Sequence, residues 1–248
     1  MNLTPETVTA LILAGGRGTR LRSVLPDLPK PLAPTAGRPF LGWLLRFLHR
    51  QGFRQGVVAA GYRAGAIAEY LQREGAPLWP QGELTCTVET QPLGTAGGFL
   101  ESVNQSGLTP PLWLVLNGDS LTVTDYGALL KPLEDESLDG VILGVSVADA
   151  GRFGSLRVNE QRILAEFAEK KAGAGVINSG VYLLRRKLLP EFPSRSPLSF
   201  EYDVFPHLLN QGKRFYVHQV SAPFLDIGTP ETLAQATQFI EENAKDWL

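Results

Sequence analysis

The chain has 248 residues, is 44% hydrophobic, carries 26 glycines and 18 prolines, and has a formal net charge of -2. That length supplies one sizeable core, and so even a charge balance excludes the global basic field that would recruit nucleic acid or an acidic membrane; any anion site must be a local concentration of charge. The single cysteine, Cys86, excludes an internal disulfide and argues against a cysteine-built metal site, a usage suited to a reducing, cytoplasmic setting.

The opening stretch MNLTPETVTA lacks the basic-then-apolar order of a signal peptide, and no apolar run nears the roughly 20 residues of a membrane span. A cytoplasmic protein without a membrane partner is therefore expected. VTALILA (8–14) reads as a buried strand, and FLGWLLRFLHRQG (40–52) has helical spacing with Gly52 as its cap. VVAAG is a strand, and AGAIAEYLQREG is a helix ending at Gly75. LTCTVE is a strand in which Cys86 alternates with Leu84 and Val88 toward the core. TAGGFLESVNQ is a helix, and LWLVLNGD (112–119) is a strand with a polar end. Strand–helix alternation with continuous apolar strands argues for a parallel sheet covered on both faces.

From about 140 the rhythm changes. GVILGVSV, GSLRV, RILAEFAEK and GVINSGVYLLR read as strands with little helix between them, followed by a helix at 201–211 and the strand RFYVHQV. The tail is a helix with Thr229 as cap, Pro230 at its first position, and Leu233, Ala236 and Ile240 on one face. The acidic run EDES (134–137) is a solvated loop. The expected fold is α/β: a Rossmann-like, mixed but mostly parallel central sheet flanked by helices, with a small antiparallel insertion in the second half. No linker composition interrupts the chain, so residues 1–248 form a single domain with halves at about 1–140 and 141–230 and a C-terminal helix over 229–247. His49, His207 and His218 fall in no motif.

LILAGGRGTRLR (11–22) leaves a buried strand and at once spends glycine and positive charge. Gly15, Gly16 and Gly18 permit close backbone approach, their N–H groups suit phosphate, and Arg17, Arg20 and Arg22 add charge. A Rossmann fingerprint begun at Gly16 fails at Leu21. A P-loop also fails, because Gly212–Lys213 is followed by Arg214. Lys30 sits between Pro29 and Pro31, which stiffens its backbone and aims its ammonium.

Taken together, LAGGRGTRLR…PDLPKPLAP resembles the sugar-1-phosphate nucleotidyltransferases, also called nucleotide-sugar pyrophosphorylases, and the resemblance runs over about 8–240. It implies that Leu13, Ala14, Gly15, Gly16, Arg17, Gly18 and Thr19 bind the nucleotide together with ETQPLGTAGGFL (89–100). In that segment Gln91 offers donor and acceptor to a base edge, Gly94 and Ala96 leave room for a flat ring, and Thr95 joins them. Gly118 and Asp119 match the family's G-D, and Asp226 in FLDIGTPE matches its D-I-G-T-P. Alone, either aspartate is more often a turn or helix-start residue; as a matched pair they imply one Mg²⁺ held between substrate phosphates. Arg20 and Lys30 complete the implied catalytic set with Asp119 and Asp226.

On the sugar side, FAEK (167–170) resembles F-x-E-K, which implies Glu169 on sugar hydroxyls and Lys170 on the sugar phosphate. INSGVYLL resembles N-x-G-x-Y and implies Asn178, while RFGSL implies Gly154. Phe153 stands where the family has tyrosine, and Ser179 where glycine is expected. The implied substrates are an NTP and a sugar 1-phosphate, with no nucleic acid partner; a homo-oligomer is compatible with the sequence. Within the family, LRSVLPDLPKPLAPTAGRPFLGWLL and SFEYDVFPHLL are very like the D-glycero-α-D-manno-heptose 1-phosphate guanylyltransferases. That favours GTP, with mannose 1-phosphate guanylyltransferases and thymidylyl- or uridylyltransferases as alternatives. Chains of this fold also serve as non-catalytic regulatory subunits that bind nucleotide-sugars, and loss of Lys30 or either aspartate would mark that role.

Overall fold

A computed structural model describes residues 3–80, 82–168 and 172–244. In chain order the elements are β1 (Val8–Ala14), the short strands β2 (Pro34–Thr35) and β3 (Arg38–Pro39), α1 (Phe40–Arg50), β4 (Gln55–Ala60), α2 (Ala64–Leu78), β5 (Glu83–Val88) and α3 (Thr95–Ser106). After these come β6 (Leu112–Asn117), β7 (Ser120–Thr122), β8 (Gly140–Val147), β9 (Ser155–Val158), β10 (Leu164–Ala168), β11 (Gly175–Arg185), α4 (Phe205–Asn210), β12 (Phe215–Val220), β13 (Phe224–Asp226) and α5 (Pro230–Asn243).

Strands β5, β4, β1 and β6 lie side by side and parallel. Beyond β6 the long β11 runs antiparallel, β8 is antiparallel to β11, and β12 is parallel to β8. The β9–β10 hairpin joins the first half of β11 through Ile177 and Ser155, the small antiparallel addition expected for the second half. Because strand side chains alternate, β1 feeds two cores. Ala10 and Ile12 pack with Phe40, Leu44 and Leu48 of α1 and Ala236 and Ile240 of α5, whereas Leu11 packs with Phe99 of α3, Trp113, Tyr182 and Phe205. Both faces of β1 are therefore covered, which is why the strand is apolar along nearly its whole length. At α5, Thr229 caps the helix by accepting from the Thr232 amide, with Pro230 at the first position as expected.

Three local readings change. Helix α2 does not stop at Gly75 but continues through Pro77 to Leu78. Leu78 and Trp79 are buried, and the Trp79 indole donates to the Arg54 carbonyl at 3.0 Å, so side-chain anchoring carries the helix on. Gly75 is an ordinary helical position, since a Cβ there would lie 3.5 Å from the Leu84 side chain, a normal packing distance. In β5, half-buried Leu84 and Cys86 pack against the core as expected, but Val88 is 41% exposed, while Thr87 is buried and donates to Ser102 at 2.7 Å. β5 ends the run of parallel strands, so only part of it faces a core. The helix expected at 201–211 begins as a wide π-type turn over Phe200–Val204 before α4 proper.

Candidate active site

The carboxyl ends of β1, β4 and β6 open on one edge of the sheet, where ligands of open α/β sheets bind. Two adjoining cavities lie there. The larger, about 480 Å³, is lined by residues including Gly15, Arg17, Tyr62, Glu89, Gln91, Gly94 and Asn117. The smaller, about 190 Å³, is lined by residues including Ala14, Gly18, Thr19, Arg20, Lys30 and Gly228. Leu13, Gly16 and Asp119 wall both.

Strand β1 ends at Ala14, and Gly18 then takes φ 54. A Cβ on Gly18 would approach the Lys30 Cβ at 3.3 Å, so the glycine lets the lysine stem lie against the loop. Lys30 starts a tight turn whose Pro31 and Leu32 are buried, which anchors it from below. Its ammonium meets Asp119 Oδ2 at 2.5 Å, and its side chain is only 10% exposed, so this is no solvated surface pair.

Asp119 and Asp226 are far apart in sequence, yet strand pairing brings them together. β13 runs antiparallel to β7 with Asp226 opposite Ser120, and the Ile227 amide donates to the Asp119 carbonyl at 2.9 Å. Asp226 Oδ1 accepts from the Gly228 amide at 2.8 Å. Burial first, and the nearby Asp119 charge second, push the Asp226 carboxyl above the usual carboxylate range; Lys30, the Gly228 amide and Arg20 pull the other way. Arg20 therefore belongs to the same electrostatic cluster, and its guanidinium lies 3.4 Å from where a Gly228 Cβ would stand.

The sequence-derived set thus largely converges. Leu13, Ala14, Gly15, Gly16, Arg17, Gly18, Thr19, Arg20, Lys30, Gln91, Gly94, Thr95 and Asp119 line the two cavities, and Asp226 adjoins them through Gly228. Two residues do not. Ala96 is fully buried and its amide donates to the Leu198 carbonyl at 2.9 Å, so it faces the core rather than a flat ring. The Gly118 amide donates to the Leu13 carbonyl at 2.8 Å, and a Cβ there would stand 2.6 Å from that oxygen; its smallness serves the β1–β6 junction. Thr95 lines the cavity but its hydroxyl already accepts from the Phe200 amide at 3.0 Å.

Gly154 and Asn178 meet directly, the Asn178 amide donating to the Gly154 carbonyl at 2.9 Å. Both ends of the Asn178 side chain are engaged within the chain: it donates to the Tyr182 hydroxyl at 2.7 Å and accepts from the Gly180 amide at 3.0 Å. Ser179 turns inward and donates to the Leu143 carbonyl at 2.8 Å, so the serine is absorbed without entering the site. Phe153 packs edge-on to Phe224 of β13, which ties this turn to the strand carrying Asp226. Glu169 and Lys170 lie outside the described residues.

Two further residues escaped the sequence reading. Glu201 accepts from Tyr182 at 2.8 Å and from Ser199 at 2.9 Å, linking the α3 start to the Asn178 side. Glu89 lines the larger cavity; its only signal was its place two positions before Gln91. Burial pushes its carboxyl up, with the Leu93 amide opposing.

Comparison with known proteins agrees with this geometry. The nucleotidyl transferase family model matches residues 9–243. The chain belongs to the nucleotidyl transferase family. This nucleotidyl transferase is 31% identical to the D-glycero-alpha-D-manno-heptose 1-phosphate guanylyltransferase of Campylobacter jejuni, over 90% of this chain and 95% of that one. It is 33% identical to the mannose-1-phosphate guanylyltransferase of Mycobacterium tuberculosis over 93% of this chain, though it spans only 64% of that longer protein. Among solved structures it resembles HddC from Yersinia pseudotuberculosis complexed with GMP-PN, with a TM-score of 0.79 and 32% identity over 93% of this chain and 98% of that one. The family and that likeness agree with the expected mixed, mostly parallel α/β sheet.

Proposed function

We propose that the protein transfers a guanylyl group from GTP to D-glycero-α-D-manno-heptose 1-phosphate, giving the nucleotide-sugar and pyrophosphate, with Mg²⁺ as cofactor. The observation that carries nucleotidyl transfer is the meeting of Lys30, Asp119 and Asp226 beside the Gly15–Gly18 loop. A protein that only bound nucleotide-sugars would have no need of a desolvated lysine and two carboxylates at one point. The guanine and heptose assignments draw on the relatives' activities and on the SVLPDLPKP stretch.

The donor set fits Mg²⁺. Two hard carboxylates stand together, and among the described residues no third His, Cys, Asp or Glu joins them. Mg²⁺ characteristically takes one or two carboxylates and fills its shell with phosphate oxygens and water. Asp119 and Asp226 would hold it, and it would supply neutralisation of the negative charge on the reacting phosphates.

The sugar phosphate is already mostly a dianion near neutral pH, its second pKa being roughly 6, so its oxygen attacks the α-phosphorus without a general base. That oxygen forms a bond to the α-phosphorus while the α–β bridging bond breaks and pyrophosphate departs. Lys30 and Arg20 stabilise charge at the α-phosphoryl and the leaving group, and Arg17 with the amides of 15–19 cradles the β- and γ-phosphates. Catalysis is then alignment and electrostatic stabilisation.

Pyrophosphate release with Mg²⁺, crossing GTP, ATP, UTP, CTP and dTTP with heptose, mannose and glucose 1-phosphates, is expected only for GTP with the manno-heptose. Release with another pair replaces the specificity, and release with none removes the enzymatic reading. Lys170→Ala is expected to raise KM for the sugar 1-phosphate at least tenfold with KM for GTP nearly unchanged, the size of one lost charge-assisted contact. Equal losses for both substrates would remove the assignment of Lys170 to the sugar phosphate.

A further inference from the structure

Next to Tyr62 of the larger cavity, Arg63 stands between β4 and α2 with φ 54. Left-handed backbone suits glycine and strains an arginine, and such strain persists only where the surroundings impose it. Glycine would take the same turn freely, so what the chain gains from arginine lies in the side chain.

That side chain grips the segment between the glycine loop and Lys30. Nη1 donates to the Asp27 carbonyl, and Nη2 donates to the Asp27 carboxylate at 3.2 Å and to the Pro26 carbonyl at 3.5 Å. Nε donates to the Tyr62 hydroxyl at 3.2 Å. Among the described residues no backbone amide donates to the Pro26 or Asp27 carbonyl. Leu21 is buried and Leu25 packs on the core, but Val24 and Leu28 are exposed. The strap 22–28 is thus anchored near its start by apolar packing and near its end by one guanidinium. It contains the SVLPDL stretch, which no step of the proposed reaction uses. The other side of the grip is tied to the glycine loop, the Tyr62 amide donating to the Gly15 carbonyl at 3.0 Å. Tyr62 also lines a narrow cleft with Arg17, Gly18, Leu28 and Lys30.

We propose that Arg63 is a positioning residue for the nucleotide's polyphosphate. It lines neither cavity. It clamps the strap to the end of β4, and so holds Arg17 and Arg20 before the strap and Lys30 after it in one arrangement before nucleotide arrives. This rests on the cavities being the nucleotide site and adds what sets their phosphate end. Asp27 is 85% exposed, and an exposed ion pair alone contributes little. A fork that reaches two carbonyls, a carboxylate and a hydroxyl is instead a geometric restraint, and a loop ordered beforehand does not have to be ordered by its ligand.

Calorimetric titration with GTP, ATP, UTP and dTTP, each beside its monophosphate and without sugar phosphate, tests this in wild type, Arg63→Gly and Asp27→Ala. The clamp acts on the β- and γ-phosphates, which the monophosphates lack. For the triphosphate that wild type prefers, Arg63→Gly is expected to weaken binding roughly tenfold, while its monophosphate stays within about twofold. The melting temperature of Arg63→Gly should stay within about 3 °C of wild type, because glycine releases the left-handed strain as the exposed contacts are lost. Asp27→Ala separates the clamp from plain charge. Deleting an anion near a polyphosphate site tightens triphosphate binding by electrostatics alone. The clamp predicts the opposite sign, a weakening of about two- to threefold, since the two carbonyl contacts remain.

Equal losses for triphosphate and monophosphate in Arg63→Gly, no loss for either, or triphosphate binding unchanged or tighter in Asp27→Ala overturns the proposal. So does a wild type that prefers no triphosphate to its monophosphate. A triphosphate preference that is lost in Arg63→Gly, in a protein that releases no pyrophosphate with any sugar 1-phosphate, leaves this inference standing while removing the proposed reaction.

Discussion

Asp226→Asn is expected to lower kcat by roughly 10²–10³-fold, the range for removing one preorganised group that stabilises transition-state charge. Asparagine is the informative replacement because its side-chain oxygen can still accept from the Gly228 amide, the bond that shapes the start of the segment leading to α5. The Ile227-to-Asp119 backbone bond and the β7–β13 pairing do not depend on the charge either. What goes is one negative charge beside Asp119. That charge opposes folding: burial and Asp119 hold the Asp226 pKa above its unfolded value, so ionisation at neutral pH favours the unfolded chain. The variant should therefore melt at the same or a higher temperature while turning over far more slowly, a trade expected where a site is held under electrostatic strain. Single-turnover rates and thermal unfolding measured together check it. Near-normal kcat would show that Asp119 alone suffices for the metal, and a lower melting temperature would show that the carboxylate is there for structure.

The route from sequence to site was legible where local chemistry decides structure. Apolar runs ending in glycine located the β1 end, and the proline-flanked Lys30 was already marked as a fixed charge. Asp119 and Asp226 could be paired only through family pattern, because what joins them is the antiparallel contact of two three-residue strands that carry no periodicity of their own. Glu89 was unreadable for a related reason: its place in the cavity depends on the room that Gly15, Gly61 and Gly98 leave around it, and each looks locally like an ordinary turn or helix glycine. The misreadings at β5 and α2 share a cause. Alternation in LTCTVE says nothing about which strand lies at the end of the parallel run, and Gly75 resembles a helix end until Leu78 and Trp79 are seen to anchor the last turn. The inward turn of Ser179 shows the converse, a departure from family pattern that the β8–β11 pairing absorbs.

Glycines in this site serve two different ends, and Gly94→Ala against Gly16→Ala separates them. Gly94 has φ 80 and ψ 172, a region that is essentially glycine-only, and a Cβ there would stand 2.5 Å from the Leu198 carbonyl oxygen and 3.0 Å from its nitrogen. Leu198 cannot yield cheaply, since its carbonyl accepts from the Ala96 and Gly97 amides and its own amide donates to the Leu93 carbonyl at 2.7 Å. Strain of about 1–3 kcal/mol together with the disturbed contacts should cost Gly94→Ala roughly 3 kcal/mol, a fall of about 6–12 °C in melting temperature for a chain of this size. Gly16 has no positive φ, and nothing lies within 4 Å of its Cβ position. Alanine there should leave the melting temperature within about 2 °C of wild type, yet its methyl would project where both cavities meet and where a phosphate must approach the backbone. A rise of about tenfold or more in KM for the nucleotide is expected, the cost of displacing one charge-assisted backbone contact. If Gly16→Ala bound nucleotide normally, the phosphates would have to run elsewhere than over the loop just after β1.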